Sequence, residues 1–125
     1  MKKKLLVIDD EPCIRLILEH YFSSLFVVIS KSNGVDAMDW LQDGNIADII
    51  VADMDMPYMN GLEFVRQIRA SFFYKEIPLI MLSGNDSSRD KIRCLREGAD
   101  DYMVKPFNPE ELDVRIGNIL RRIGV

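Results

Sequence analysis

The sequence predicts an α/β domain built on one doubly wound, five-stranded parallel sheet with five helices. Two observations carry that prediction. Short, unbroken apolar runs alternate with segments whose apolar residues recur at helical spacing, and five such pairs fill a chain of 125 residues, the size of a single domain with one core. Parallel strands are covered on both faces, so they read as continuous apolar runs rather than as alternation. Five β–α units in series make a parallel sheet with right-handed crossovers.

The strands are expected at residues 5–8, 26–29, 49–52, 79–82 and 102–104, runs rich in Val, Ile and Leu. Between them, Ile14, Ile17, Leu18, Tyr21 and Leu25 share one helical face. Val35, Met38 and Leu41 mark a second helix, Phe64, Val65 and Ile68 a third, and Ser88, Ile92 and Leu95 a shorter fourth. Leu112, Ile116, Ile119, Leu120 and Ile123 form the clearest stripe. Pro12 suits a first helical turn, Asn33-Gly34 and Asn60-Gly61 mark turns before helices, and Gly98 falls where a helix should end. Asn108-Pro109-Glu110-Glu111 reads as a cap, a first-turn proline and two acids at the positive end of a helix. No linker or repeat divides the chain, so residues 1–125 are read as one domain.

Apolar residues make up 48% and charged residues 29%, an ordinary balance, and the net charge of −4 argues against a nucleic-acid surface in this chain. Lys2-Lys3-Lys4 is followed by only four apolar residues before Asp9, Asp10 and Glu11, so neither a secretory nor a membrane-spanning segment is expected. Cys13 and Cys94 have no metal-binding or redox spacing and read as reduced, partly buried thiols of a cytoplasmic protein. His20 has no Cys or second His near it and reads as a surface or half-buried helix residue.

The polar residues are more pointed. Asp9 and Asp10 follow the first strand, Asp53 ends the third, Ser83 the fourth and Lys105 the fifth, which places all of them at the carboxyl edge, where open α/β sheets bind ligands. Each has a plainer reading: helix capping for Asp9-Asp10-Glu11, a polar strand end for Asp53, a loop for Ser83-Gly84-Asn85-Asp86, a solvated lysine before a turn for Lys105-Pro106. Together they make chemical sense. Three carboxylates at one edge repel one another, and a hard divalent cation bound by oxygens removes that conflict. Magnesium favours few carboxylates with water and phosphate, and a carboxylate can attack phosphorus to give an aspartyl phosphate. Phosphoryl transfer needs mostly positioning and charge neutralisation, which a metal, a lysine and a hydroxyl supply.

Val7-Ile8-Asp9-Asp10-Glu11 resembles the acidic opening of the receiver domains of response regulators in two-component signal transduction, such as chemotaxis receivers. The segment Asp53-Met54-Asp55-Met56-Pro57-Tyr58-Met59-Asn60-Gly61 is similar to their phosphoacceptor segment, and Ile80-Met81-Leu82-Ser83-Gly84 to their hydroxyl segment. The run from Gly98 to Phe107, with Tyr102, Lys105 and Pro106, resembles their closing motif. The resemblance spans the chain in order. It implies a flavodoxin-like fold with strand order 2-1-3-4-5, and magnesium-dependent phosphorylation by a sensor histidine kinase or phosphotransfer protein. Such a domain catalyses only its own phosphorylation and dephosphorylation.

Carried over by position, Asp53 is the phosphoacceptor and Asp10 a direct magnesium ligand. Asp9 acts on the metal through water, and Asp55 gives it a backbone carbonyl. Lys105 pairs with Asp53 and then with phosphoryl oxygens, Ser83 hydrogen-bonds those oxygens, and Tyr102 is the aromatic switch. A cis peptide is implied before Pro106. Serine stands at 83 where threonine is commoner, and an acid at 55 is unusual. Met54, Met56 and Met59 read as gap-filling residues beside an oxygen-rich site rather than as soft-metal ligands.

The output surface in this family is commonly the face of the fourth helix, fifth strand and fifth helix. Here it carries charges of both signs, read either as a solvated face or as a two-fold dimer contact with Lys91 against Glu111 and Asp101 against Arg115. The stretch from Gly98 to Arg122 is similar to receivers that drive a winged-helix DNA-binding domain. Two rival readings fit less well. A haloacid-dehalogenase-type phosphatase would place its nucleophile after the first strand, and a flavin carrier would be repelled by Asp9-Asp10-Glu11.

Overall fold

Burial of the strands follows their place in the sheet. In the computed structural model, which describes residues 2–124, the strands are β1 (Lys3–Ile8), β2 (Phe26–Lys31), β3 (Ile49–Asp53), β4 (Leu79–Ser83) and β5 (Asp101–Val104). All are parallel and their order is β2-β1-β3-β4-β5, as the resemblance implied. Every side chain of β3 and β4 is buried, and so are the last four of β1, whereas the edge strands β2 and β5 are only partly covered. The unbroken apolar runs are thus the signature of strands with a layer on each face. Each run extends by a residue or more beyond its apolar part, because backbone pairing takes in polar neighbours such as Lys3, Asp53 and Ser83.

The helices are α1 (Pro12–Phe22), α2 (Gly34–Gln42), α3 (Gly61–Ala70), α4 (Ser88–Glu97) and α5 (Pro109–Arg122). Leu18 and Phe22 of α1 pack with Leu112, Ile116, Ile119 and Leu120 of α5 against one face of the sheet. Met38 and Leu41 of α2, Phe64, Val65 and Ile68 of α3, and Cys94 of α4 cover the other. Burying these side chains stabilises the fold by ~1.5–3 kcal/mol each.

The expected start signals act as capping predicts. Asn33 accepts the Asp36 N–H, Asn60 forms a capping box with Glu63, and Asn108 accepts the Glu110 N–H ahead of α5. Gly98 closes α4 in the left-handed region at φ 119°, where a side chain would be strained.

Several expected faces are revised. α1 ends at Phe22, so Leu25 lies beyond it, and Leu25, Ile17 and Val35 are exposed. On α4 the buried residue is Cys94, while Ile92 and Leu95 face outward, and Ile123 is exposed past the end of α5. Cys13 is exposed rather than partly buried. His20 is an exposed helix residue. Met56 is buried and Met54 and Met59 pack against the same core as α3, consistent with gap filling. No helix is long and apolar enough to cross a membrane among the described residues.

Candidate functional site

The register brings the polar strand ends together. Ile8 pairs with Ala52, Asp53 with Leu82 and Ser83 with Val104, so Asp9, Asp53, Ser83 and Lys105 are neighbours along one carboxyl edge. A charge at the end of an apolar strand inherits the burial of that strand. Asp9 and Asp53 are 1% and 3% exposed, and Asp10, one residue further along, is open to solvent. Carboxylate oxygens of Asp9, Asp10 and Asp53 lie within 4.8 Å of one another.

One ammonium serves the two buried acids. Lys105 Nζ lies 2.9 Å from Asp9 Oδ2 and 3.2 Å from Asp53 Oδ1, with Glu11 Oε1 at 3.8 Å. Its backbone is pinned as well, since the Lys105 N–H donates to the Ser83 carbonyl at 2.7 Å and the peptide to Pro106 is cis, as the resemblance implied. Asp9 Oδ1 accepts the Glu11 N–H at 2.9 Å, and Arg15 Nη1 donates to the Asp9 carbonyl at 2.7 Å. No acid caps α1 through its side chain. The capping reading of Asp9-Asp10-Glu11 therefore accounts for one oxygen of one residue.

Burial and the neighbouring Asp9 push the Asp53 carboxyl up to about 6, against the opposing pull of Lys105 and the Asp55 N–H. Burial works against the Lys105 ammonium, but the hydrogen bond it donates to Asp9 and the charges of Asp53 and Asp9 outweigh it and hold that pKa above the ordinary value. Three carboxylates against one ammonium leave an excess of negative charge with an all-oxygen donor set. The residues present therefore fit a hard divalent cation.

Gly61 makes the close approach of α3 to this edge possible. Its N–H donates to the Met54 carbonyl at 2.8 Å, and a Cβ there would stand 2.7 Å from the Asp53 carbonyl oxygen. Ser83 is buried, and its Oγ accepts the Asn85 N–H at 3.1 Å. Tyr102 is turned inward, with its hydroxyl donating to the Asn85 carbonyl. Asp55 is exposed and its carboxylate lies outside the acidic cluster; its N–H donates to Asp53 Oδ1 at 3.4 Å. Sequence reasoning missed Arg15, whose guanidinium meets a backbone carbonyl, and Asn85, a loop residue; neither partnership leaves a mark in a residue pattern.

The charges on β5 and α5 form ion pairs within the chain. Arg115 donates to both carboxylate oxygens of Asp101 at 2.9 Å and lies 2.9 Å from Glu111, all within the chain. Asp101, Glu111 and Arg115 thus pair with one another within the chain. Lys91 is exposed.

Residues 5–117 match the family model of the response regulator receiver domain. The alkaline phosphatase synthesis transcriptional regulatory protein PhoP of Bacillus subtilis is 39% identical over 98% of the chain, which spans half of that relative. A chemotaxis protein CheY homolog of Campylobacter jejuni is 34% identical over 94% of the chain and 92% of its own length. Among solved structures, the chemotaxis response regulator CheY4 of Vibrio cholerae superposes with a TM-score of 0.89 at 33% identity, covering 96% of this chain and all of that one. The chain spans about half the length of the transcriptional regulators it matches and nearly all of the chemotaxis proteins. Matched over most of its length in sequence and in fold, this chain belongs to the response regulator receiver domain family of two-component signalling.

Proposed function

We propose that the whole chain, residues 1–125, is a cytoplasmic phosphoacceptor in which Asp53 takes a phosphoryl group from the phosphohistidine of a sensor histidine kinase or a phosphotransfer protein. The observation that carries the reading is a buried carboxylate, Asp53, held against Lys105 with Asp9 and Asp10 within metal-binding reach. Asp10 and Asp53 would hold magnesium directly, Asp9 through water, and Asp55 by its backbone carbonyl. Bound magnesium supplies positive charge that neutralises carboxylate and phosphoryl oxygens.

The rest is the work of the chain. Asp53 Oδ1 is engaged by Lys105 and the Asp55 N–H, and Oδ2 is the oxygen that attacks. A bond forms from Oδ2 to phosphorus as the bond from phosphorus to the donor nitrogen breaks, and the nitrogen keeps the electron pair. Lys105 then follows the charge onto a phosphoryl oxygen, and the Ser83 hydroxyl donates a hydrogen bond to another. The domain modifies only itself, and its state is read by an output domain or partner at the face of α4, β5 and α5. A phosphorylation-dependent homodimer through that face would have to form around the internal Asp101–Arg115–Glu111 pairs.

Incubation with acetyl phosphate or phosphoramidate and magnesium should add one phosphoryl group to the wild type and none to Asp53→Asn. Equal labelling of the variant overturns the assignment. In the same series, Asp10→Asn should lose most of the magnesium-induced rise in melting temperature.

A further inference from the structure

Helix α4 has little apolar anchorage. Of its ten residues only Cys94 is buried, so polar ties fix where it lies. At its C-terminal end those ties come from α3: Arg66 pairs with Glu97 at 3.1 Å, and Arg69 donates to the Gly98 carbonyl at 2.8 Å and to Asp100 at 2.9 Å. At its start the N-cap residue, Ser87, makes no side-chain cap bond. The tie there is Asn85, which lies outside the helix.

Asn85 has both ends of its backbone and both ends of its side chain engaged. Its N–H donates to Ser83 Oγ at 3.1 Å and its carbonyl accepts the Tyr102 hydroxyl. Its Oδ1 accepts the Ser87 N–H at 2.8 Å, and its Nδ2 donates to Asp90 Oδ2 at 2.6 Å. One residue thus joins a hydroxyl beside Asp53 and a buried ring of β5 to the first turn of α4. A group held at four points has no free rotamer to absorb a displacement, so a shift at one contact is passed to the others.

We propose that Asn85 is the positioning residue that couples Ser83 and Tyr102 to the first turn of α4 through its side-chain bond to Asp90. The coupling to phosphorylation rests on the assignment of Asp53 given above. When Ser83 moves to meet a phosphoryl oxygen, its Oγ carries the Asn85 N–H with it, and Asp90 draws the helix start along.

The test is amide hydrogen exchange of residues 88–92 in the full chain, with and without acetyl phosphate and magnesium, normalised to the phosphorylated fraction. In the wild type, phosphorylation should change exchange there by about threefold to tenfold, the effect of one hydrogen bond on a local opening. Asn85→Ala keeps the backbone bonds and should lose that change. Asn85→Asp sets a carboxylate against Asp90 and should lose it too, while Asn85→Asp combined with Asp90→Asn exchanges donor and acceptor and should restore it. A full response in Asn85→Ala, or no rescue by the double variant, overturns the proposal. A second arm needs no phosphoryl group. Tyr102→Phe removes the donor to the Asn85 carbonyl and should raise exchange at residues 88–92 only where Asn85 is present. An equal effect of Tyr102→Phe in the Asn85→Ala background overturns the coupling even if Asp53 proves not to be the acceptor, and failure of labelling alone overturns only the assignment of Asp53.

Discussion

At the Asp53 carboxylate two influences oppose each other. Burial and Asp9 favour the protonated form, Lys105 and the Asp55 N–H favour the ionised one, and the first pair wins, with the pKa at about 6 against an ordinary 3.8. The folded carboxyl therefore holds its proton more tightly than the unfolded one. Its ionisation works against the fold above pH 6, and that penalty fades as the pH falls through 6 and is gone near the unfolded value. The size is roughly 3 kcal/mol. Urea unfolding of metal-free protein between about pH 4 and pH 8 should show Asp53→Asn more stable than the wild type at the alkaline end, with the difference shrinking on acidification. A gap that does not change with pH would show that the carboxyl is not strained. This part of the site was legible in the sequence because Asp9, Asp53, Ser83 and Lys105 sit on or beside apolar strand ends, so strand order alone brings them together. Asn85 was not legible, since a loop residue has no period to place it and half of its bonds come from its backbone.

The elements show the same division. The strands were readable because two-sided burial demands unbroken apolar runs, and α5 because four buried residues at helical spacing fix its phase. α4 offers only Ile92, Cys94 and Leu95, too few to set a phase. Packing chose Cys94, whose Sγ lies 3.5 Å from Met54 Sδ, over the two larger residues. The join of β3 to α3 is tight. Gly61→Ala would set a Cβ 2.7 Å from the Asp53 carbonyl oxygen and 2.8 Å from both Met54 Cα and Met81 Sδ. Two of these contacts are backbone, so the loop must shift. The variant should lose ~1–3 kcal/mol despite the better helix propensity of alanine, read from its urea midpoint. A loss below ~0.5 kcal/mol would mean that the loop gives way freely.

On the scale of the molecule, the sheet divides the interior. The cluster of α1 and α5 and the cluster of α2, α3 and α4 meet opposite faces of the same strands and share no buried side chain. Tyr102 belongs to the second cluster and Met103, its neighbour, to the first, so even β5 contributes to the two sides separately. The consequence is one of additivity. A methyl group removed from one side leaves a gap that the other side cannot collapse into, because a layer of hydrogen-bonded backbone stands between them. Ile68→Val and Ile116→Val, on opposite faces, should each cost ~0.5–1.5 kcal/mol, and their double variant should equal the sum within ~0.5 kcal/mol. Ile68→Val with Phe64→Leu, on the same face, should depart from the sum. Truncations confined to the α1–α5 side therefore offer a way to set the global stability of the domain independently of the half-core that contains Tyr102 and α4.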